Sequence, residues 1–267
     1  MDTYSDAYQP DRSLKGKLRR RLVRLAHRRP LAAGPQRPMV SFAFDDAPLS
    51  AATTGAEILE SCGVRGTYFV SAGLSGTEAP MGVCARAADY HRLAQAGHEI
   101  ACHTHSHLDC GRAGGPEALA DVERNERVFL AWGLEAPRTF AYPYGDVAAG
   151  PKGALARRFP ILRALHHGVI DKGCDLNQAP AVGVEGPDGE ATAHRWLDEA
   201  ARRPAWLILY THDVREDPSP WGCTPKAWGG LVDTALADGF DVVTVAEGAR
   251  RLGLKANLQR RHPRPCA

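Results

Sequence analysis

From residue 39 to residue 244, short apolar runs alternate with longer stretches that carry a helical pattern of apolar residues. Repetition of strand, helix and strand predicts a parallel sheet, because two parallel strands need a long crossover between them, usually a helix. Seven such runs predict an α/β fold of the closed or nearly closed barrel type, with a doubly wound open sheet as the alternative. The predicted strands are 39–44, 66–71, 98–102, 138–142, 162–169, 205–210 and 240–244. The predicted helices are 53–63, 86–96, 116–132, 190–202 and 224–238.

The chain has 267 residues, enough for one domain of barrel size with a short extension at each end. We expect a basic, partly helical extension over residues 1–37 and a main domain over 38–254. A basic tail over 255–267 follows.

The N-terminal extension concentrates positive charge. Residues 11–38 hold ten Lys or Arg against one Asp, although the formal net charge of the whole chain is only +2. One interpretation is a peripheral contact of residues 12–29 with an anionic membrane surface. The other is a solvated helix whose leucines pack on the main domain, and a nucleic-acid-binding arm is disfavoured. Both depend on an apolar stripe that four leucines predict by their helical spacing: Leu14, Leu18, Leu22 and Leu25.

Several classes of protein are disfavoured by features that the sequence lacks. No apolar run reaches the ~18 residues of a membrane-spanning helix, and the opening stretch "MDTYSDAYQP" does not resemble a secretory signal. The seven cysteines form no C-x-x-C pair, so we expect reduced thiols in a cytoplasmic protein rather than disulfides or a zinc finger. The glycine-rich motifs of dinucleotide and P-loop nucleotide sites are absent as well.

Polar residues cluster at the points where the predicted strands end. In an α/β barrel the C-terminal strand ends meet on one face, where the catalytic loops gather. Residues far apart in the sequence are therefore expected to meet there. The clusters are Asp45 with Asp46, the histidines of "HTHSH" at 103–107, the segment "YPYGD" at 142–146, Asp171 with Asp175, and His212 with Asp213.

Two of these clusters predict a metal site. His103 and His107 are four residues apart and share one side if the loop turns into a helix. Two imidazoles and one carboxylate suit Zn²⁺ and leave room for water, whose pKa the metal lowers. The second carboxylate of the Asp pair would accept a proton from the attacking water, and His212 would protonate the leaving group. The residues alone leave open which aspartate has which role, and a histidine-rich surface loop is the alternative.

The stretches "FAFDD", "HEIACHTHSH", "FAYPYG" and "LILYTHD" occur in this order. Together they resemble the polysaccharide deacetylase family (carbohydrate esterase family 4), the NodB-type esterases that remove N- or O-acetyl groups from sugars. The resemblance extends over residues 38–250. It implies a distorted (β/α) barrel, usually of seven strands, and a divalent metal. Zinc is the first expectation for that metal, and cobalt or manganese would suit the same ligands.

The resemblance also implies a role for each residue of the aspartate and histidine motifs. Asp45 would be the catalytic base. The metal ligands would be Asp46, His103 and His107, with His105 as an intervening residue.

The remaining motifs imply the rest of the machinery. Tyr144 would donate its backbone N–H to the oxyanion, and His212 would be the catalytic acid. A carboxylate is expected to brace the ring of His212. Asp175 is our choice for that carboxylate, with Asp171 as the alternative.

Two positions depart from the family pattern. Ala47 stands where a glycine is usual, and Ala141 replaces the arginine that commonly orients the catalytic aspartate. What keeps Asp45 basic is therefore open. Trp221 lies beyond the last motif and is expected either to stack on a sugar ring or to anchor its own loop.

These observations favour a metal-dependent hydrolase that removes acetyl groups from a sugar of a surface glycan or of its lipid-linked precursor. A cytoplasmic, membrane-proximal place of action is expected with it. One alternative is a deformylase or an amide hydrolase of a non-polymeric substrate. Another is a non-catalytic carbohydrate-binding module on the same barrel.

Overall fold

A computed structural model describes residues 14–255. The helices are α1 (Leu14–Leu25), α2 (Ala56–Ser61), α3 (Ala87–Gln95), α4 (Gly115–Ala131), α5 (Ala149–Leu155), α6 (Gly189–Arg202), α7 (Pro225–Ala237) and α8 (Val245–Arg251). The strands are β1 (Met39–Asp45), β2 (Thr67–Val70), β3 (Glu78–Ala79), β4 (Gly82–Val83), β5 (Glu99–Cys102), β6 (Phe140–Ala141), β7 (Leu162–Arg163), β8 (Val182–Gly183), β9 (Trp206–Thr211) and β10 (Asp241–Val242).

A parallel sheet of order β7-β6-β5-β2-β1-β9-β8 forms the framework. β1 pairs with two strands in succession: Met39 and Val40 pair with β10, and the residues from Ala43 onward pair with β2. Ala179, just before β8, forms a parallel bridge to Arg163 of β7, so the two edges of the sheet approach each other. The result is the distorted (β/α) barrel that the sequence predicts.

The alternation of side chains along β1 separates two packing environments, because neighbouring residues of a strand point to opposite faces. Phe42 and Phe44 pack with Trp228 of α7, at ring-centroid distances of 5.2 and 5.0 Å. Ala43 lies instead in the core that Tyr210 of β9 also lines. Asp45, two residues further, therefore points to the barrel interior.

The short strands differ most from the sequence prediction. The strand predicted over 162–169 ends at Arg163, because the chain bends away and Ile170 pairs in antiparallel fashion with Trp206. β8 is only two residues long and was not predicted, and neither were the β3–β4 hairpin, α5 and α8. Two-residue strands carry no periodicity that could distinguish them from a loop.

The N-terminal helix packs on the main domain through Val23, and the segment that follows it makes further contacts. Pro30 bridges Asp175, and the N–H of Leu31 donates to the carbonyl of Cys174 at 2.8 Å. Leu22 and Leu25 are 56% and 71% exposed, so the prediction that they pack on the main domain is wrong. The predictions for residues 1–13 and for 256–267 lie outside the described residues. No helix within 14–255 combines the length and the apolar character needed to cross a membrane.

Candidate active site

Most of the predicted site residues meet at the C-terminal ends of neighbouring strands. Asp45 ends β1, and the "HTHSH" loop follows β5. Tyr144 lies in the short turn Pro143–Gly145 after β6, and His212 follows β9. The order of strands in the sheet places these ends side by side, since β5, β2, β1 and β9 are consecutive.

One carboxylate and two imidazoles form a compact set of possible metal ligands. One ligand atom from each of Asp46, His103 and His107 lies within 4.8 Å of the other two. Nε2 of His107 is 3.5 Å from Oδ1 of Asp46, and Nε2 of His103 is 3.9 Å from the same oxygen. That oxygen is buried and has no hydrogen-bond partner among residues 14–255, which is the condition expected of an atom that binds a cation.

The protonation states suit a metal as well. Burial lowers the pKa of His103 and of His107 to about 4, so both rings are neutral near pH 7 and free to bind a metal. Nδ1–H of His103 donates to the carbonyl of Ala141 at 2.9 Å, which leaves Nε2 facing Asp46. Burial raises the pKa of Asp46, and a bound cation would oppose this effect.

Unusual backbone geometry aims these side chains. Asp46, Ala47, Thr104, His107 and Tyr144 all have positive φ, between 45° and 63°, a conformation that costs energy in residues other than glycine. β1 therefore ends in a sharp turn at Asp46, so strand alternation alone does not separate the two aspartates. Ala47, where a glycine is usual, adopts φ 45° and is completely buried.

Arg163 provides the cation that is missing at position 141. It lies on β7, where it is the register partner of Ala141 on β6. Its guanidinium forms a buried ion pair with Asp45. The rings of Phe69 and Tyr210 flank it, with centroids 4.7 and 5.2 Å from the guanidinium carbon. Burial disfavours the charged form of Asp45, but the charge and hydrogen bond of Arg163, together with His103 and His212, more than offset it, and the pKa of Asp45 is lowered.

Glu185, and not Asp175, braces His212. Nδ1 of His212 donates to Oε1 of Glu185 at 2.8 Å. Burial acts to lower the pKa of His212, but the Glu185 carboxylate has the opposite effect and the pKa rises to about 9. The predicted contact of Asp175 with His212 is wrong because Asp175 pairs with the buried Lys152 at 2.7 Å. Asp171 faces Arg203 on the surface, at 3.9 Å.

Two aromatic side chains border the site. Tyr144 is 36% exposed, and its ring meets that of His107 edge to face at a centroid distance of 4.4 Å. Trp221 is 37% exposed, and its carbonyl accepts a hydrogen bond from the backbone N–H of His212 at 3.0 Å. The role of the Tyr144 backbone N–H toward an oxyanion stays a prediction.

Sequence reasoning missed Arg163 and Glu185. Arg163 lies within a run that was predicted to be a strand, and an arginine in such a run is a signal that could have been used. Glu185 follows β8, a strand too short to predict, so no comparable signal preceded it.

The chain also matches known proteins. Residues 32–157 match the family model described as polysaccharide deacetylase. The curated chitin deacetylase of Colletotrichum lindemuthianum is 25% identical over 225 residues, which cover 82% of each chain. Both matches support the polysaccharide deacetylase family for this chain.

Solved structures support the barrel fold of the chain. The structure of the Colletotrichum lindemuthianum chitin deacetylase superposes with a TM-score of 0.59 at 20% identity, covering 82% of this chain and 91% of that one. A family 4 acetyl xylan esterase from Clostridium thermocellum, in complex with a cobalt ion, gives a TM-score of 0.58 at 19% identity and covers 82% and 93%. At these identities the likeness establishes the barrel fold.

Proposed function

We propose that the protein is a metal-dependent deacetylase that hydrolyses N- or O-acetyl groups on a sugar. The observation that carries this proposal is the grouping of three functions at one end of the barrel. They are the ionised carboxylate of Asp45, which is paired with Arg163, the Asp46–His103–His107 cluster, and His212, whose pKa is raised to about 9. A pure binding module has no need of a charged base and a protonated acid together.

Asp46, His103 and His107 would hold the metal. When bound there, a divalent cation polarises the acyl carbonyl and lowers the pKa of water. Zinc is our proposal for this ion, and the nitrogen and oxygen donors would also accept cobalt or manganese. The unpartnered Oδ1 of Asp46 supports the assignment.

Asp45 and His212 would move the protons. Asp45 is kept ionised by Arg163 and would accept a proton from the water that attacks the acyl carbon. The backbone N–H of Tyr144 would donate to the oxygen on which negative charge develops. His212 is protonated below about pH 9 and would give its proton to the departing sugar nitrogen or oxygen, while the acyl group leaves as acetate.

The substrate we propose is an acetylated sugar of a surface glycan or of its lipid-linked precursor. The exposed rings of Tyr144 and Trp221 offer apolar faces that suit the C–H surfaces of a sugar. The relatives named chitin deacetylase and acetyl xylan esterase support acetylated carbohydrate as the class. The described cysteines are unpaired thiols, which supports a reducing, cytoplasmic place of action.

Two variants of neighbouring residues test the proposal. The protein would be assayed for bound metal and for acetate release from a panel of N- and O-acetylated sugars. We expect Asp45→Asn to abolish turnover with metal still bound, and Asp46→Asn to lose the metal. Release of formate from N-formyl sugars with no acetate release would favour a deformylase. Sugar binding by metal-free protein that releases neither acid would favour a binding module.

A further inference from the structure

An open cavity lies away from the candidate active site. Its volume is about 550 Å³, it lies between the end of α1 and the segment 166–180, and neither the Asp46–His103–His107 cluster nor His212 lines it. This volume is within the range of small-molecule sites, roughly 300–1,000 Å³.

Four of the residues that line the cavity are Lys or Arg, against two aspartates. Arg24 and Arg28 come from α1 and the residues after it, and Lys172 comes from the segment 166–180. Arg28 is held in place because its guanidinium donates to the carbonyl of Gly173 at 3.1 Å. The imidazole of His166 also lines the cavity, and burial lowers its pKa, so it is neutral near pH 7 and has one N–H to donate.

The carboxylates of the cavity are already compensated. Asp175 is bound by the ammonium of Lys152 at 2.7 Å and by the backbone N–H of Arg29 at 2.9 Å. Asp171 faces Arg203 at 3.9 Å. Within residues 14–255, no carboxylate lies within ion-pair distance of the three remaining cations: Arg24, Arg28 and Lys172. The cavity therefore presents an excess of positive charge.

Apolar surface continues from the rim. Leu25 lines the cavity, and Leu22, one helical turn earlier, is also exposed. A small soluble anion would contact only the cationic side chains. A molecule with an anionic head and an apolar tail would contact the cationic side chains with its head and the two leucines with its tail.

We propose that this cavity binds the phosphate group of an amphiphilic, lipid-borne ligand, with Arg24, Arg28 and Lys172 on the phosphate and Leu22 and Leu25 against the apolar part. The same phosphate chemistry could be supplied by a soluble phosphate compound, and the experiment separates these two sources. The proposal does not depend on the deacetylase reaction, because its test measures binding in the absence of turnover.

The test uses the full chain and two probes at low salt. Inorganic pyrophosphate binding would be measured by calorimetry, and co-sedimentation would be measured with phosphatidylglycerol vesicles and with neutral phosphatidylcholine vesicles. The cavity variant is Arg24→Gln/Arg28→Gln/Lys172→Gln. The control is Arg138→Gln/Lys226→Gln/Arg250→Gln, which removes the same number of positive charges from exposed positions elsewhere. Thermal melting would show that each variant is folded.

We expect the cavity variant to bind both pyrophosphate and phosphatidylglycerol vesicles roughly 100-fold more weakly, and the control to bind nearly as the wild type does. Leu22→Ser/Leu25→Ser should weaken vesicle binding alone. If the leucine variant binds vesicles normally while the cavity variant loses pyrophosphate, the lipid source is wrong and a soluble phosphate compound is the ligand. Equal losses in the cavity and control variants, or wild-type protein that binds neither probe, would overturn the proposal.

Discussion

Arg163 stabilises the charged form of Asp45 in a buried position, where water cannot solvate the carboxylate. Both side chains are buried, and a buried carboxylate without a partner becomes protonated and can no longer accept a proton. The family's usual arginine would stand at Ala141 on β6. Here the guanidinium comes from Arg163, the register partner of Ala141 on β7, and it pairs with Asp45 from that neighbouring strand. The ion pair therefore uses an arginine outside the "FAYPYG" motif, in which the family usually carries it.

Replacing Arg163 tests that account. We expect Arg163→Met to lower kcat roughly 100-fold or more, because Asp45 loses the charge that keeps it ionised. Metal content, measured by elemental analysis, should stay near that of the wild type, since Asp46, His103 and His107 are unchanged. Returning the cation to the neighbouring strand with Ala141→Arg in the same chain should restore part of kcat. Full activity of the Arg163→Met protein would contradict the role of Arg163.

In the proposed reaction, we expect His212 and Glu185 to determine the alkaline limit of activity. The acid form of His212 is present below its pKa of about 9 and is lost above it, so kcat should fall as the pH rises through that value. In Glu185→Gln the largest influence that raises the pKa of His212 is gone while burial still lowers it, so the alkaline limb should move to lower pH. The pH dependence of kcat measures this shift. The control Glu190→Gln, a nearby exposed carboxylate, should leave the limb in place.

At the scale of elements, the buried ammonium of Lys152 connects three segments of the chain. Lys152 of α5 is completely buried, and its ammonium donates to the carbonyl of Val23 at 2.8 Å, to Asp175 at 2.7 Å and to Gln178 at 3.3 Å. One side chain therefore links α5, α1 and the turn Leu176–Gln178 that leads into β8. Asp175 therefore has a structural role as the counter-charge of the buried Lys152, and it does not contact His212.

Removing Asp175 should cost stability rather than catalysis. Asp175→Ala leaves the Lys152 ammonium buried without a counter-charge, for which we expect a loss of about 3–5 kcal/mol in the free energy of unfolding. Urea denaturation measures the loss. The alkaline limb of kcat should not move, which separates this role from that of Glu185. Asp171→Ala, on the surface, should change stability by no more than about 0.5 kcal/mol; an equal loss there would argue against the buried pair.

At the scale of the whole molecule, the proposed metal site would couple function to stability. Its ligands come from the ends of β1 and β5, which are joined through β2. A ligand that binds only the folded state stabilises it by about 4 kcal/mol when its concentration is a thousand times Kd.

Metal removal should therefore lower the melting temperature. We expect a chelator to lower Tm in calorimetry of the wild type and of His91→Ala, which changes an exposed histidine outside the site. His107→Ala should already melt at the lower temperature and should respond little to the chelator. A wild-type Tm that does not respond to chelation and metal replacement would count against the Asp46–His103–His107 site.

Much of this architecture could be predicted because its signals are local. The run ending at Asp45, the "HTHSH" loop and "LILYTHD" each place polar residues after a strand of four to seven residues, and parallel strands bring such ends together. Arg163 and Glu185 depend on other information. Arg163 substitutes for a residue at Ala141 only because the two are register partners across strands, and Glu185 follows a strand of two residues.

The sequence by itself determined the alternation of strands and helices that gives a parallel α/β sheet, and the strand ends at which the polar clusters gather, because the periodicity of each element depends on residues near one another in the chain. Only the tertiary structure decided which cation holds Asp45, which carboxylate holds His212, and that Leu22 and Leu25 face outward. Those choices depend on strand register and on burial, which bring together residues that are separated in the chain: Asp45 and Arg163 are 118 residues apart, and His212 and Glu185 are 27 apart. In FAFDD, the turn at Asp46 directs one carboxylate to the histidines, while Asp45 remains on the strand against Arg163.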